Sequence, residues 1–174
     1  MISLGVGMIP RNRKERGILP DLSIRNNSSI VRFTSKHKKL FINNKEEEAR
    51  FENRRAQMAI KINSSKDCIT SLSGGNQQKV IVGRWLELEG KVYLMDNPTQ
   101  GIDVGAKYEI YKLINELASS GKCIIVFSNE YPEIFQIADK TLVMYKGQIQ
   151  SIINRSELTE SRVMALSTGI KEEK

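Results

Sequence analysis

The stretch from Ser71 to Asp103 constrains this chain most, because a hydroxyl and two glycines are followed by a short apolar run ending in a carboxylate. Ser73-Gly74-Gly75-Asn76 opens a predicted helix, where glycine lets backbone N–H groups approach an anion closely. Val92 to Asp96 reads as a buried strand, and a carboxylate at the end of such a strand is suited to holding Mg²⁺ beside a phosphate. The stretch therefore predicts a site for a nucleoside triphosphate.

Predicted strands and helices alternate along the rest of the chain. Apolar runs predict strands over residues 1–9, 91–96, 123–127 and 140–145, the last forming a hairpin with 148–153. Apolar periodicity and end signals predict helices over residues 22–33, 45–62, 76–89, 104–119 and 131–138, with a final helix from Ser156. This alternation favours an α/β fold with a parallel sheet. The continuous apolar run Cys123–Phe127 predicts a strand that is buried on both faces.

Composition limits the kind of protein. The chain has 174 residues, of which 40% are hydrophobic, enough for one domain or part of one with a real core. No apolar run approaches the ~20 residues that cross a bilayer, and the N-terminal charges follow the apolar stretch, the wrong order for a secretory signal. Cys68 and Cys123 lack metal-ligand or redox spacing, so we predict reduced, buried thiols in a cytosolic protein.

The net charge of +7 suggests an anionic partner. Bases cluster in residues 11–16 and 36–39, but no aromatic residues are interleaved there as a stacking platform for nucleic acid would require. We interpret both clusters as solvated surface and predict no nucleic-acid partner. His37, the single histidine, falls in the second cluster and has no predicted role. The last residues, 171–174, are predicted to be frayed.

Three motifs, in this order, resemble those of the ATP-binding cassette (ABC) ATPases. LSGGNQQKV, from Leu72, resembles the signature motif in the form typical of bacterial sugar importers. VYLMD, ending at Asp96, resembles the Walker B strand, and NPTQGIDVGAK, from Asn97, resembles the turn and D-loop that follow it. The resemblance spans roughly residues 1–153. It implies a P-loop NTPase-like α/β fold with a partial nucleotide-binding domain over 1–153, a helical subdomain at about 22–90, and a C-terminal helix and tail over 154–174.

The resemblance also implies roles for individual residues. Asp96 would bind Mg²⁺ through a coordinated water. Asn97 stands where active members have a glutamate, and an amide cannot accept a proton from the attacking water. Asn129 stands where a histidine commonly contacts the γ-phosphate. The other implied contacts to ATP are Ser73, Gly74, Gly75, Asn76 and Asp103.

Two departures from the family pattern are evident. No G-x-x-x-x-G-K-[ST] phosphate loop (Walker A) occurs in the sequence, so the chain resembles only the part of a cassette that begins near the Q-loop. The first strand, the phosphate-binding helix and the adenine-binding part of the family pattern are therefore missing. In the Q-loop segment, Arg11 and Asn12 occupy positions that are acidic in the sugar importers, and an arginine cannot coordinate a cation.

These features together imply the C-terminal part of the second cassette of a tandem sugar importer, which couples ATP binding and hydrolysis to transport. The implied partners are another cassette, transmembrane permease subunits and, indirectly, a periplasmic or extracellular sugar-binding protein, at the inner face of the membrane. We expect little ATPase activity from the chain alone, with its signature motif completing a partner's ATP–Mg²⁺ site. The alternatives are a non-catalytic or truncated relic, and a soluble cassette ATPase acting on nucleic acid. The importer-type GIDVGAK argues against the second alternative.

Overall fold

The computed structural model describes residues 2–35, 43–88 and 90–170. The predicted basic cluster 36–39 with His37, and the predicted frayed end 171–174, lie outside these ranges. The chain divides into two compact units, residues 1–127 and 128–174. Each unit is described by itself.

A three-stranded parallel sheet forms the centre of the first unit. Its strands are β1 (Val6–Ile9), β2 (Val92–Asp96) and β3 (Cys123–Phe127), in the order β1-β2-β3. The register pairs Ile9 with Met95 and Asp96 with Phe127, so the carboxyl ends of all three strands meet at one edge. The predicted parallel α/β architecture is confirmed.

The first strand is shorter than predicted. Ile2–Leu4 form a 3₁₀ turn, and Gly5 follows with a φ of 72°. That left-handed conformation favours glycine and reorients the chain before β1 begins.

Four helices accompany this sheet: α1 (Ile24–Ser35), α2 (Asn44–Gln57), α3 (Gly74–Leu86) and α4 (Val104–Ser119). Helix α3 lies centrally, in contact with α1, α4 and β1. Short helical turns occupy Arg13–Gly17 and Ile69–Ser71. The sequence predicted that α2 would continue to Ile62, which is wrong. The helix ends at Gln57 because Ala59 adopts a φ of 46°, which a right-handed helix does not allow.

One face of the sheet is buried. Ile9, Tyr93 and Met95 share this face and are almost completely inaccessible to solvent. A β-carbon added at Gly7 would lie 2.9 Å from the Tyr93 ring and 3.3 Å from Trp85 of α3. The absence of a side chain at Gly7 therefore lets α3 approach the sheet closely.

The opposite face is open, so the prediction that β3 is buried on both faces is wrong. Ile125 and Phe127 are 44% and 52% exposed. Met8, aligned with Ile125 through Leu94 of the central strand, is 42% exposed. A continuous apolar run indicates that both faces of a strand can be buried. It does not indicate whether another element packs on the second face.

Both thiols are exposed, which corrects the prediction that they are buried. Cys123 begins β3 on the open face, and Cys68 directly precedes the turn Ile69–Ser71. Both cysteines are free, as predicted.

The second unit contains α5 (Tyr131–Ile137), β4 (Lys140–Tyr145), β5 (Gln148–Asn154) and α6 (Glu160–Ser167), with a 3₁₀ turn at Arg155–Glu157. The predicted hairpin is confirmed: β4 and β5 pair antiparallel around Lys146 and Gly147, whose φ values of 46° and 78° suit a tight hairpin turn. A core of Val143, Ile153, Val163 and Leu166 holds α6 against the hairpin. The domain boundary expected after Ile153 stays a prediction.

Among the helices in the described ranges, none has the length and apolar character needed to cross a membrane.

Candidate functional site

The predicted signature motif lies at the N-terminus of α3. Ser73 is the N-cap residue, and its Oγ accepts hydrogen bonds from the Asn76 backbone N–H at 3.5 Å and from Asn76 Nδ2 at 3.1 Å. The Oδ1 atom of Asn76 accepts from the Lys61 N–H at 2.9 Å. These contacts fix the exposed Ser73 hydroxyl while leaving its own proton as a donor.

Both glycines of the motif lie at close contacts, and the contact at Gly75 leaves no room for a side chain. A β-carbon at Gly75 would lie 2.5 Å from the Ala106 β-carbon of α4. At Gly74 it would lie 2.5 Å from Arg13 Nη2 and 3.3 Å from the Gly101 carbonyl oxygen. The start of α3 therefore packs directly against α4 and the turn that precedes it.

Asp103 brings the predicted D-loop to the same place. It is the N-cap of α4, where its Oδ1 accepts from the Ala106 N–H at 2.9 Å. Its Oδ2 lies 4.0 Å from the position that a Gly75 β-carbon would occupy. The structure thus brings together five of the residues singled out from the sequence: Ser73, Gly74, Gly75, Asn76 and Asp103.

Asp96 ends the central strand, as predicted, and lies half-buried at the carboxyl edge of the sheet. Asn97 Nδ2 donates to Asp96 Oδ1 at 3.0 Å, and the Asn97 backbone N–H donates to the Phe127 carbonyl at 2.8 Å. Asn97 has a φ of 44°, a left-handed conformation that asparagine tolerates better than most residues. Its side chain is therefore used as a hydrogen-bond donor to the carboxylate.

The chemistry of Asp96 fits one ligand position of a Mg²⁺ ion. Mg²⁺ commonly takes one or two carboxylates and fills its other positions with water and phosphate oxygens. Within residues 2–35, 43–88 and 90–170, no group of three or more His, Cys, Asp or Glu side chains could hold a metal by itself.

Asn129 belongs to the second unit, where the Glu130 N–H donates to Ser128 Oγ at 3.0 Å beside it. Its predicted contact with a γ-phosphate stays a prediction.

Arg13 is a residue of the site that the sequence reasoning missed. Its Nη1 donates to the Gln100 carbonyl at 2.7 Å, its Nη2 to the Gly101 carbonyl at 2.9 Å and its Nε to Gln77 Oε1 at 3.3 Å. Partial burial lowers the pKa of Arg13. The cluster 11–16 was predicted to be solvated, which is wrong for this member. In a run of similar basic residues, the sequence does not indicate which side chain packs against the rest of the protein.

Lys79 and Arg84 are buried cations of α3 that were also missed. Lys79 Nζ contacts the Ala59 carbonyl at 2.9 Å and Glu109 Oε2 at 2.8 Å, which joins the end of α2 to α4. Arg84 donates to the Asn27 carbonyl at 2.7 Å and to the Gly17 carbonyl at 2.6 Å. Burial lowers the pKa of Arg84 to about 10. Both lie close to the apolar run Val80–Val82 of α3, and this proximity was the available signal.

Two solved structures share the fold of this chain. An ATP-binding cassette, determined as a dimer in a post-hydrolysis state with ADP and Pi, matches with a TM-score of 0.73 at 18% identity, covering 86% of this chain and 62% of that one. A dimeric bacterial ABC transporter cassette matches with a TM-score of 0.71 and the same identity and coverage. The fold is that of an ATP-binding cassette. Residues 2–100, more than half of the chain, match the family model described as ABC transporter, so the chain belongs to the ABC transporter family.

Three curated relatives show how much of a longer protein this chain corresponds to. The ribose import ATP-binding protein of Halalkalibacterium halodurans is 38% identical over 97% of this chain and 34% of its own length. The ribose import ATP-binding protein of Bacillus subtilis is 41% identical over 97% of this chain and 34% of its own length. The arabinose import ATP-binding protein of Mannheimia succiniciproducens is 44% identical over 95% of this chain and 33% of its own length. The chain spans about a third of the length of these relatives.

Proposed function

We propose that this chain is an ATP-binding component of a carbohydrate importer, and that its signature surface completes the nucleotide site of a partner cassette. The term signature surface denotes Ser73–Asn76 together with Gly101–Asp103. The observation that carries the proposal is the close approach of α3 and α4 at Gly75 and Ala106. Arg13 also links the two regions, because it donates to Gln77 of α3 and to the Gln100 and Gly101 carbonyls. A surface held in this way is preorganised for a ligand, so little ordering entropy is lost on binding.

The chemistry of the signature surface suits a phosphate held by another chain. The Ser73 hydroxyl can donate, and the N-terminus of α3 favours negative charge. Gly74, which is only partly buried, leaves the backbone accessible to an anion, whereas Gly75 is buried against α4. In this pairing, the phosphates would be held mainly by the phosphate loop of the partner cassette.

The chain's own hydrolytic site is proposed to be degenerate. Asn97 has no basic atom for the attacking water, and its amide is already engaged with Asp96 Oδ1. Loss of a positioned general base typically lowers a rate by ~10²–10⁴-fold. The purified chain is therefore expected to hydrolyse ATP no faster than its Asp96→Asn variant.

The carbohydrate assignment rests on the relatives, whose names specify import of ribose, galactose, methyl galactoside or arabinose. As a component of such a system, the chain would lie on the cytoplasmic side of the membrane beside permease subunits. A sugar-binding protein would act on the other side. Mg²⁺ and ATP would enter through the partner cassette.

The test measures nucleotide-dependent pairing. The full chain is mixed with the ribose import protein of Bacillus subtilis carrying a base-to-amide substitution that slows hydrolysis, and complex formation is followed by analytical ultracentrifugation with and without ATP and Mg²⁺. We expect association only with ATP. Ser73→Asp preserves the N-cap but places a negative charge against the phosphate, so it should abolish pairing without lowering stability.

The matched control is Ser71→Asp, which adds the same charge at an exposed position just before the motif. This variant should pair normally. Association without ATP, or equal loss in both variants, would contradict the proposal. Salt-sensitive binding to DNA or RNA in place of pairing would favour the nucleic-acid alternative.

A further inference from the structure

A pocket of about 350 Å³ opens between the turn after β1 and the turn after β2. We call it the basic pocket, and its lining residues are Arg11, Asn12, Arg13, Lys14, Gln100 and Gly101. Its volume lies at the lower end of the ~300–1,000 Å³ range of ligand sites. The lining contains no large apolar side chain, so an apolar ligand would gain little there.

The charge of the basic pocket is uniformly positive. Three of its lining side chains are cationic, and none of the six lining residues is acidic. Glu15 follows Lys14 in sequence but does not line the pocket. Converging like charges repel each other, and a bound anion relieves that repulsion.

The three cations differ in how firmly they are held. Arg13 is fixed by hydrogen bonds from three of its five donor N–H groups, to Gln77, Gln100 and Gly101. Arg11 makes one long contact, from Nε to Gln100 Oε1 at 3.4 Å, and is exposed. Lys14 is also exposed. The guanidinium of Arg13 is therefore held in place, while the guanidinium of Arg11 and the ammonium of Lys14 can reorient toward a ligand.

We propose that the basic pocket binds phosphate groups. A guanidinium presents a planar fork of donors that matches two oxygens of one phosphate, and a lysine contributes a compact charge. Two guanidinium groups and one ammonium group around a pocket of this size suit a short phosphate chain better than a single small carboxylate. The inference rests on the charge and shape of this chain alone and not on the proposed pairing with a partner cassette.

The experiment titrates the full chain with sodium tripolyphosphate by isothermal calorimetry at low salt, with inorganic phosphate and ATP in parallel. We expect saturable one-to-one binding of tripolyphosphate. Arg11→Glu with Lys14→Glu should weaken it at least tenfold. The matched control, Arg16→Glu with Lys66→Glu, makes the same charge change at exposed positions outside the pocket and should change affinity less than twofold.

The two sources of phosphate are separated by comparing ligands. Equal affinity for ATP and tripolyphosphate would show that the pocket recognises a phosphate chain by itself. Tighter binding of ATP would show that it recognises a nucleotide. Either result supports the site if the Arg11/Lys14 variant loses binding. Thermal unfolding of each variant establishes that it is folded. Absence of saturable binding to the folded wild-type chain, equal loss in the control variant, or equal affinity for adenosine and ATP would overturn the proposal.

Discussion

Gly75 is the residue whose size matters most in the signature surface. Because an added β-carbon would lie 2.5 Å from that of Ala106, Gly75→Ala should force α3 and α4 apart. We expect a loss of about 1–3 kcal/mol in the free energy of unfolding, typical of overpacking, despite the better helix propensity of alanine. Urea denaturation measures this change.

Two variants identify the cause. Ala106→Gly in the Gly75→Ala background removes the clashing atom and should recover part of the loss, less the cost of a second glycine in a helix. Gly105→Ala adds a β-carbon 3.4 Å from Asp103 Oδ1, an ordinary contact, and should leave stability unchanged or slightly raised. A Gly105→Ala loss as large as that of Gly75→Ala would show that packing against Ala106 is not the reason.

Asn97 cannot simply be exchanged for the missing glutamate. The φ of 44° disfavours glutamate, and the substitution replaces a hydrogen bond to Asp96 with a second carboxylate. Asn97→Glu should lower the free energy of unfolding at pH 7 by roughly 1–2 kcal/mol. Asn97→Gly keeps the backbone relaxed while losing the hydrogen bond, so it should cost less. Chemical denaturation of both variants tests this order, and a Glu variant more stable than the Gly variant would contradict it.

Among the elements, α1 and α2 are linked through Glu48. Its Oε2 accepts from Arg25 at 2.8 Å and its Oε1 from the Ser65 hydroxyl at 2.6 Å. The Ser65 hydrogen bond, followed by the hydrogen bond and charge of Arg25, holds the pKa of Glu48 below its usual value. A carboxyl whose pKa is lowered on folding stabilises the protein above its unfolded pKa, and this stability is lost as the pH falls through the folded pKa.

Glu48→Gln should therefore be less stable than the wild type at pH 7, by less than about 1 kcal/mol because the side chain is 38% exposed. The difference should shrink as the pH falls below the usual glutamate pKa and disappear once the pH lies under the lowered pKa of the folded state. Thermal unfolding across pH 3–7 measures it. Glu52→Gln, which removes an exposed pair within α2, serves as the control and should show a smaller change at pH 7. If the stability loss of Glu48→Gln relative to the wild type increased as the pH was lowered, the prediction would be wrong.

The element boundaries that the sequence predicted well are those marked by a characteristic polar residue. Strand β2 ends at Asp96 and α4 begins after its cap Asp103, both where the sequence suggested. The end of α2 was missed because the left-handed Ala59 has no marker such as glycine. Arg13 was missed because its carbonyl acceptors come from a turn distant in sequence. The open side of β3 was missed because hydrophobicity does not specify the covering element.

At the scale of the whole molecule, the open face of the first unit's sheet exposes a contiguous group of apolar side chains. Ile125 and Phe127 lie on it beside Met8. Contiguous exposed apolar surface binds hydrophobic dyes and promotes association. The native chain should therefore enhance ANS fluorescence, and Ile125→Thr with Phe127→Thr should reduce that enhancement. The part due to the exposed hairpin residues Leu142, Met144, Ile149 and Ile152 should remain.

Threonine retains β propensity, so this double variant should remain folded. Val104→Thr removes an exposed apolar side chain from a helix and is the control, with little expected effect on the dye. Unchanged fluorescence in the double variant, with a normal unfolding transition, would show that the face is covered in solution.

The order β1-β2-β3 also governs how the chain assembles during synthesis. Val6 pairs with Val92, so the first strand leaves the ribosome about 85 residues before its partner. At ~5–20 residues per second, this delay is on the order of 10 s, far longer than a helix needs to form. Helices α1 to α3 are complete before the sheet can begin. Until Asp96 has been translated, the apolar residues of β1 therefore lack the pairing with β2 that the folded sheet provides.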